Sequence, residues 1–329
     1  MAEQVAKKAR VEEGTKSVLD QLKEMTVIVA DTGEFSLIKQ FNPQDATTNP
    51  SLIFKAAQIP EYHALIDDAI AYGKKKAESS SMTEKEKLDL IMDKLVVNFG
   101  NEISKLVPGF VSMEVDARLS FDTQKTLQRA RQIISLAKEL GMNPKKILIK
   151  IAATYEGIQA GKILQEEGVT CNLTLVFSLV QAALCAEHNI TLISPFVGRI
   201  LDWHKAKYNK TYTAEEDPGV VSVRKIYRYF KRFHYHTIVM GASFRNTGEI
   251  IALAGCDRLT IAPTLLAELA GQMQPIEQVL SPEQTDGEEE KLPSDEASFR
   301  FLLNEDAMAS DKLSEGIRMF AAVGGKWKC

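Results

Sequence analysis

One lysine, Lys150, stands inside the apolar run Ile147-Leu148-Ile149-Lys150-Ile151-Ala152. The run reads as a strand buried on both faces, and an ammonium there is costly unless it is neutralised by desolvation, paired, or extended to water. Extended to water, it snorkels at a strand end and does no chemistry. Held neutral near roughly pH 7, it is an amine nucleophile: it can attack a ketone carbonyl and lose water to a Schiff base, and the protonated imine then accepts the electrons of a breaking carbon–carbon bond. That chemistry calls for no metal and no cofactor. It does call for carboxylates that move protons, and Asp31 and Glu114, at the tips of two other expected strands, can do so directly or through a water. Arg199, in Ser194-Pro195-Phe196-Val197-Gly198-Arg199, and Arg245, in Gly241-Ala242-Ser243-Phe244-Arg245-Asn246, follow two further expected strands. Arginine grips phosphate through paired hydrogen bonds, and barrel phosphate sites lie in that sector; a surface ion pair is the alternative for each.

The elements that must position these groups recur along the chain. Strands are expected at 27–30, 45–50, 111–116, 147–152, 171–175, 191–194, 237–243 and 258–262, alternating with amphipathic helices. A helix over 61–76 precedes a capping box, Thr83 to Glu86, that opens another, and 121–140, 157–167, 178–188, 220–233 and 246–254 read as helical. Between 199 and 213 the chain makes a longer excursion. Eight alternations point to an α/β chain folded as a single (β/α)8 TIM barrel, with additional N- and C-terminal helices. An open doubly wound sheet is the alternative, but no Gly-rich dinucleotide fingerprint follows the first strand. Residues 1–16 are expected to be a flexible basic tail carrying Lys7-Lys8-Ala9-Arg10, and 17–329 the barrel domain, in which 281–296 is an acidic surface connection and 299–320 one or two helices packed outside or across the barrel.

Alternate strand residues share a face, so Ser112, Glu114 and Asp116 are expected together, as are Asp45, Thr47 and Asn49, Asn172 with Thr174, and Ser243 with Arg245. For a single Thr or Asn the ordinary reading is a satisfied core hydrogen bond. A whole set gathered at the C-terminal ends of barrel strands, where the βα loops form an open mouth, reads as a site.

Composition narrows the class. The chain has 329 residues, 45% hydrophobic, with a net charge of -4. It can bury a large core and lacks the basic excess of a nucleic-acid binder. No apolar run approaches the roughly 20 residues of a membrane span, and no secretory leader is evident, so the expected location is cytoplasmic, with the basic run able to serve as a nuclear address. Cys171, Cys185, Cys256 and Cys329 are scattered and read as reduced thiols, the first three in the core.

These blocks resemble the transaldolase family. Val29-Ala30-Asp31-Thr32-Gly33, Asp45-Ala46-Thr47-Thr48-Asn49-Pro50-Ser51-Leu52, Glu114-Val115-Asp116-Ala117-Arg118, Ile147-Leu148-Ile149-Lys150, Cys171-Asn172-Leu173-Thr174, Ile193-Ser194-Pro195-Phe196-Val197-Gly198-Arg199 and Gly241-Ala242-Ser243-Phe244-Arg245 occur in the family's order, over roughly 19–320. The resemblance implies a pentose phosphate pathway enzyme that moves a dihydroxyacetone unit from a ketose phosphate (sedoheptulose 7-phosphate or fructose 6-phosphate) to an aldose phosphate (glyceraldehyde 3-phosphate or erythrose 4-phosphate). It also implies roles: Lys150 as Schiff-base nucleophile, Asp31 as acid/base for carbon–carbon cleavage, and Glu114 with Thr174 acting through a catalytic water. Thr47, Asn49, Asn172 and Ser194 would hold donor hydroxyls, and Arg199, Ser243 and Arg245 the phosphate. The implied partners are sugar phosphates, with no nucleic acid and no membrane, and a homodimer is allowed. The departure is at the end, where similar eukaryotic members continue past the helix carrying Phe320 while this sequence ends Gly324-Gly325-Lys326-Trp327-Lys328-Cys329; if that tail closes the mouth, closure here is expected to be impaired. Two readings remain beside this one: a Schiff-base fructose-6-phosphate aldolase that releases its products freely, and a non-catalytic barrel that binds sugar phosphates.

Overall fold

The computed structural model describes residues 16–285 and 289–326. The basic run Lys7-Lys8-Ala9-Arg10, nearly all of the expected tail, and Cys329 lie outside the described residues. Eight strands, β1 (Val27–Asp31), β2 (Asp45–Thr47), β3 (Val111–Glu114), β4 (Ile147–Ala152), β5 (Cys171–Val176), β6 (Leu192–Pro195), β7 (Ile238–Gly241) and β8 (Arg258–Ile261), pair in parallel in chain order. β8 closes on β1 through Val27↔Arg258 to Ala30↔Ile261. The sheet is a closed barrel, the (β/α)8 architecture, and not an open doubly wound sheet.

Strand parity sorts the side chains as alternation requires. Ile147, Ile149 and Ile151 face outward, into the main core shared with the surrounding helices. Leu148 faces inward, in a bottom layer with Val29, Leu192 and Met240. Beneath that layer Arg258 pairs with Asp45, whose Oδ1 accepts from the Phe110 N–H at 2.7 Å, and Arg258 lies 5.0 Å from the centre of the Phe110 ring. Lys150 is thus two residues above a dry plug, on the same inward face. Above the packed apolar layer, polar groups gather at the upper, C-terminal ends of the strands, and below it lies the Arg258–Asp45 pair.

Several helices carry the expected signals. Thr83 and Glu86 form the capping box that opens Glu84–Ser104, and the polar residues Ser17, Asp122, Thr154, Ser178, Asp217 and Asn246 each accept backbone N–H groups at helix starts. The expected helix over 61–76 begins as a 3-10 turn, Pro60–Tyr62, and continues as His63–Glu78. Three parts of the sequence reading are corrected. The excursion after 199 is a helix, Gly198–Tyr208, whose start has no side-chain cap to announce it. β3 stops at Glu114, and Asp116 instead caps a 3-10 turn, so it leaves the face it was assigned. β7 stops at Gly241, and Ser243 takes a left-handed φ of 61°, so Ser243 and Arg245 are loop residues and not strand alternates.

The segment 299–320 is two helices, Glu296–Glu305 and Ala307–Lys326, and the second lies across the mouth of the barrel. Met308, Ala309, Leu313, Ile317 and Phe320 pack there against Ala117, Ala152, Leu175, Phe177, Phe196 and Ile200, forming a small second core above the strands. Leu175 is left-handed, φ 57°, where the β5–β6 register shifts, and Gly316 of the crossing helix receives it: a Cβ on Gly316 would sit 2.7 Å from Leu175 Cδ2.

The end of β4 depends on a similar close approach. Thr154 caps Tyr155–Glu166 by accepting from the Gly157 N–H at 2.9 Å, and a Cβ on Gly157 would lie 2.1 Å from the Ala152 carbonyl oxygen. Backbone cannot yield as a flexible side chain does, so Gly157→Ala is expected to lower stability by about 1–3 kcal/mol. Urea denaturation of the variant checks this, and an unchanged midpoint would show that the helix can retreat from β4 freely.

Candidate active site

Lys150 is 5% exposed, so it does not snorkel to solvent. Its Nζ donates to the Thr48 carbonyl at 3.2 Å and lies 3.1 Å from Glu114 Oε2. Adjacent register explains the second contact, since Glu114 and Lys150 are partners across β3 and β4 and both face inward. The ammonium's hydrogen-bond alignment is toward Thr48, and Glu114 Oε2 is held as an ion-pair contact without an aligned donor. Burial raises the pKa of Glu114 above the usual carboxylate range, while the Lys150 charge opposes that rise.

Asp31 ends β1 beside Thr47, its register partner on β2. Thr47 Oγ1 donates to Asp31 Oδ1 at 3.0 Å, and its contact with Thr260 Oγ1 at 2.7 Å completes a Thr260, Thr47, Asp31 chain across β8, β2 and β1. Burial raises the Asp31 pKa as well, against the lowering influence of Lys150 and the Thr47 hydroxyl. Two carboxyl groups with elevated proton affinity thus flank one buried amine.

A cavity of about 110 Å³ opens on this group and is lined by Asp31, Thr47, Asn49, Lys150, Thr174, Ser194, Arg199 and Ser243, with Phe196, Met240, Ala242, Thr260 and Phe320 completing the walls. Glu114 lies toward a second, smaller cavity that shares Asn49 and Phe320 with the first. Thr174 is fully buried, and its Oγ1 has no hydrogen-bond partner. Asn49 caps the helix Pro50–Ala56, its Oδ1 accepting from the Leu52 N–H at 3.0 Å. Asn172, expected among the cavity residues, sits beneath them: Nδ2 donates to Ser112 Oγ at 3.2 Å and Oδ1 accepts from Ser194 Oγ at 2.6 Å.

The two arginines differ. Arg199 lies in the first turn of Gly198–Tyr208, stacked 5.0 Å from the centre of the Phe196 ring and 5.5 Å from that of Phe320. Burial lowers its pKa, and the like charge of Arg245 adds to that, which places both guanidinium groups on one region. Arg245 stands at the rim, outside the cavity lining, and is paired with Asp202 through Nη2 to Oδ2 at 2.7 Å. Its Nη1 donates to the Ser243 carbonyl at 3.2 Å.

Ten of the eleven expected site residues thus meet at or just under the mouth, and Arg245 borders it. Thr260, Phe196, Phe320 and Asp202 were missed. Thr260 was findable, since it shares the inward parity of Arg258 on β8; Phe320 was not, because its contacts with Lys150 and Arg199 cross more than a hundred residues of sequence. Beside the expectation about closure, the structure shows that the helix Ala307–Lys326 itself lies over the mouth, with Phe320 only 5% exposed and 5.9 Å from Lys150 Nζ. Among the described residues no cluster of three or more His, Cys, Asp or Glu could hold a metal ion, and no helix is long and apolar enough to cross a membrane.

Residues 28–324 match the transaldolase/fructose-6-phosphate aldolase family. The chain is 55% identical over 327 residues to a transaldolase of Saccharomyces cerevisiae, covering 98% of this chain and 96% of that protein. It is 57% identical over 310 residues to one of Bos taurus, covering 93% and 91%, and 56% identical over 325 residues to one of Homo sapiens, covering 98% and 94%.

Proposed function

The chain belongs to the transaldolase/fructose-6-phosphate aldolase family, and from the site we propose how it works as a transaldolase, a transferase that moves a dihydroxyacetone unit between sugar phosphates through a Schiff base on Lys150. The observation that carries this reading is the lysine amine buried 3.1 Å from Glu114 at the closed end of a polar cavity. Glu114 takes the proton that frees the amine. Nζ then adds to the ketose C2 carbonyl, and water leaves as the iminium forms, with protons carried by Glu114 and Thr174 through a water.

Asp31 next accepts the C4 hydroxyl proton. The C3–C4 bond breaks, its electrons move to the iminium nitrogen, and the aldose phosphate leaves while a three-carbon enamine stays on Lys150. An acceptor aldose reverses these bond changes, with Asp31 returning the proton, and hydrolysis of the new imine restores the amine. Thr47 both orients Asp31 and, with Asn49 and Ser194, faces donor hydroxyls; Asn172 contributes from beneath by fixing Ser194. Arg199, Ser243 and Arg245 receive the phosphate.

The cavity of about 110 Å³ is small beside the roughly 300–1,000 Å³ of ligand sites. Phe320 narrows it, and a ketose phosphate enters as that ring turns out with the end of its helix. Return of the ring excludes water from the enamine, which favours transfer over the free release of an aldolase. We place this activity in the cytoplasm, in one barrel domain from residue 17 onward, acting on sugar phosphates and not on nucleic acid, with a homodimer as an assembly the reading permits.

Borohydride reduction with fructose 6-phosphate, read by peptide mass, tests the carrying observation. Wild type is expected to gain a reduced sugar adduct on Lys150, and Lys150→Arg to lose both adduct and turnover, since arginine keeps the charge but is no nucleophile. Turnover near wild type in that variant would end the Schiff-base reading, and it would leave the non-catalytic barrel excluded as well.

The phosphate grip has its own test. Arg245 must exchange its exposed pair with Asp202, worth little in water, for a charge-assisted phosphate contact of roughly 1.5–3 kcal/mol. Arg245→Ala is expected to weaken use of fructose 6-phosphate by a factor on the order of ten to a hundred and to leave fructose little changed. Equal losses on both sugars would move the phosphate site elsewhere.

A further inference from the structure

Beneath the Ser243–Arg245 loop lies a pair of buried acids that the reaction above does not use. Glu249, in the helix Thr247–Ile251, is 0% exposed, and Asp217, which caps the helix Pro218–Arg232, is 3% exposed. Glu249 Oε2 accepts the Arg245 N–H at 2.6 Å. Asp217 Oδ1 accepts the Gly219 N–H at 2.8 Å and the Val220 N–H at 3.3 Å. Glu249 Oε1 is buried with no hydrogen-bond partner among the described residues, and Asp217 is the neighbouring acid whose charge acts on this carboxyl.

The surrounding backbone makes this junction tight. Gly198 donates its N–H to the Ser243 carbonyl at 3.0 Å, and Val197 donates to that of Ala242 at 2.9 Å. A Cβ on Gly198 would lie 2.6 Å from the Ser243 oxygen, and one on Gly219 would lie 2.1 Å from the Val197 oxygen. The start of the Arg199 helix, the start of the Asp217 helix and the Arg245 loop are therefore locked into one unit, and the two acids are its internal tie.

Two buried carboxylates at one junction repel, so one of them holds a proton, and the unpaired Glu249 Oε1 is the oxygen open to it. We infer that Glu249 is a positioning residue for the anion grip of Ser243 and Arg245, working as the protonated half of a carboxyl pair with Asp217. The inference rests on the proposed role of that loop in holding phosphate. The charged groups facing the pair are Arg245, from the loop above, and Lys205, toward Asp217 from the helix Gly198–Tyr208, with Asp202 reaching it only through Arg245. Burial holds Glu249 above the ordinary carboxylate range and the Asp217 charge adds to this, while the Arg245 N–H and charge oppose it. Raising the pH removes the shared proton, parts the two acids and releases the Arg245 backbone, so the grip on phosphate weakens on the alkaline side.

The experiment compares wild type, Glu249→Gln, Glu249→Ala and Arg245→Ala on fructose 6-phosphate and on fructose, at about pH 6 and about pH 9. The readout is the ratio of kcat/KM for the phosphorylated sugar over the unphosphorylated one. In wild type this ratio is expected to fall with rising pH. Glutamine carries an N–H toward Asp217 and a carbonyl toward the Arg245 N–H, so Glu249→Gln is expected to match the wild-type ratio at the lower pH and to lose most of the additional alkaline fall. Glu249→Ala is expected to lower the ratio about tenfold at the lower pH, chiefly through KM. Should the alanine variant fail to fold, the glutamine pH profile decides. A glutamine profile parallel to wild type, or equal losses on both sugars, overturns the role of Glu249 when Arg245→Ala does lower the ratio. If Arg245→Ala leaves the ratio intact, the phosphate reading of the loop falls and this inference falls with it.

Discussion

Everything at the mouth of this barrel depends on one desolvated amine. Lys150 sits on an inward face whose lower neighbour, Leu148, belongs to a buried apolar layer. Its charge is met by the Thr48 carbonyl and by Glu114, which the parallel register of β3 and β4 brings to its side. A buried ion pair of this kind adds little to stability, since desolvating both partners offsets most of their attraction. Beside it Asp31 is a second acid whose pKa, like that of Glu114, is raised by burial.

The cost of assembling polar groups in that layer is met by structure on both sides of it. Below lies the packed barrel plug, and outside lies the continuous core between strands and helices. Above, the helix Ala307–Lys326 lays a second apolar cluster over the strand ends. The fit is strained where it is closest: Leu175 adopts a left-handed conformation, costing on the order of 1 kcal/mol, and a glycine opposite admits its side chain. Turned this way, Leu175 faces the covering helix, and its neighbour Thr174 stays toward the amine.

The mouth has two electrostatic characters. Around Lys150, one ammonium is flanked by two buried carboxyl groups, Glu114 and Asp31. Around Arg199 and Arg245 two like charges lie close enough to depress the affinity of Arg199 for its proton, beneath a rim where Asp202 partly neutralises Arg245. An anion bound between the two relieves that repulsion, so the phosphate of a substrate would add order to a sector held from below by Glu249 and Asp217.

The sequence by itself determined the barrel and most of the residues that gather at its mouth. Period-two alternation in 111–114 and 171–174 is a local property, and it put Ser112 with Glu114 and Asn172 with Thr174 before any strand was paired, while Lys150 stood out as the one lysine in an apolar run. It also placed the cysteines: Cys171, Cys185 and Cys256 are buried free thiols. Local pattern failed where the chain leaves regular structure, as at Asp116 and Ser243, because a capped turn and a left-handed residue break the alternation on which the reading rests. Only tertiary structure decided that Asn172 works from beneath the cavity, that Arg245 begins in a pair with Asp202, that Phe320 covers the amine, and that Glu249 meets Asp217. Each of these is a contact between residues far apart in sequence, fixed by strand register and by the path of a distant helix, and neither leaves a trace in the composition or spacing of the residues that make it.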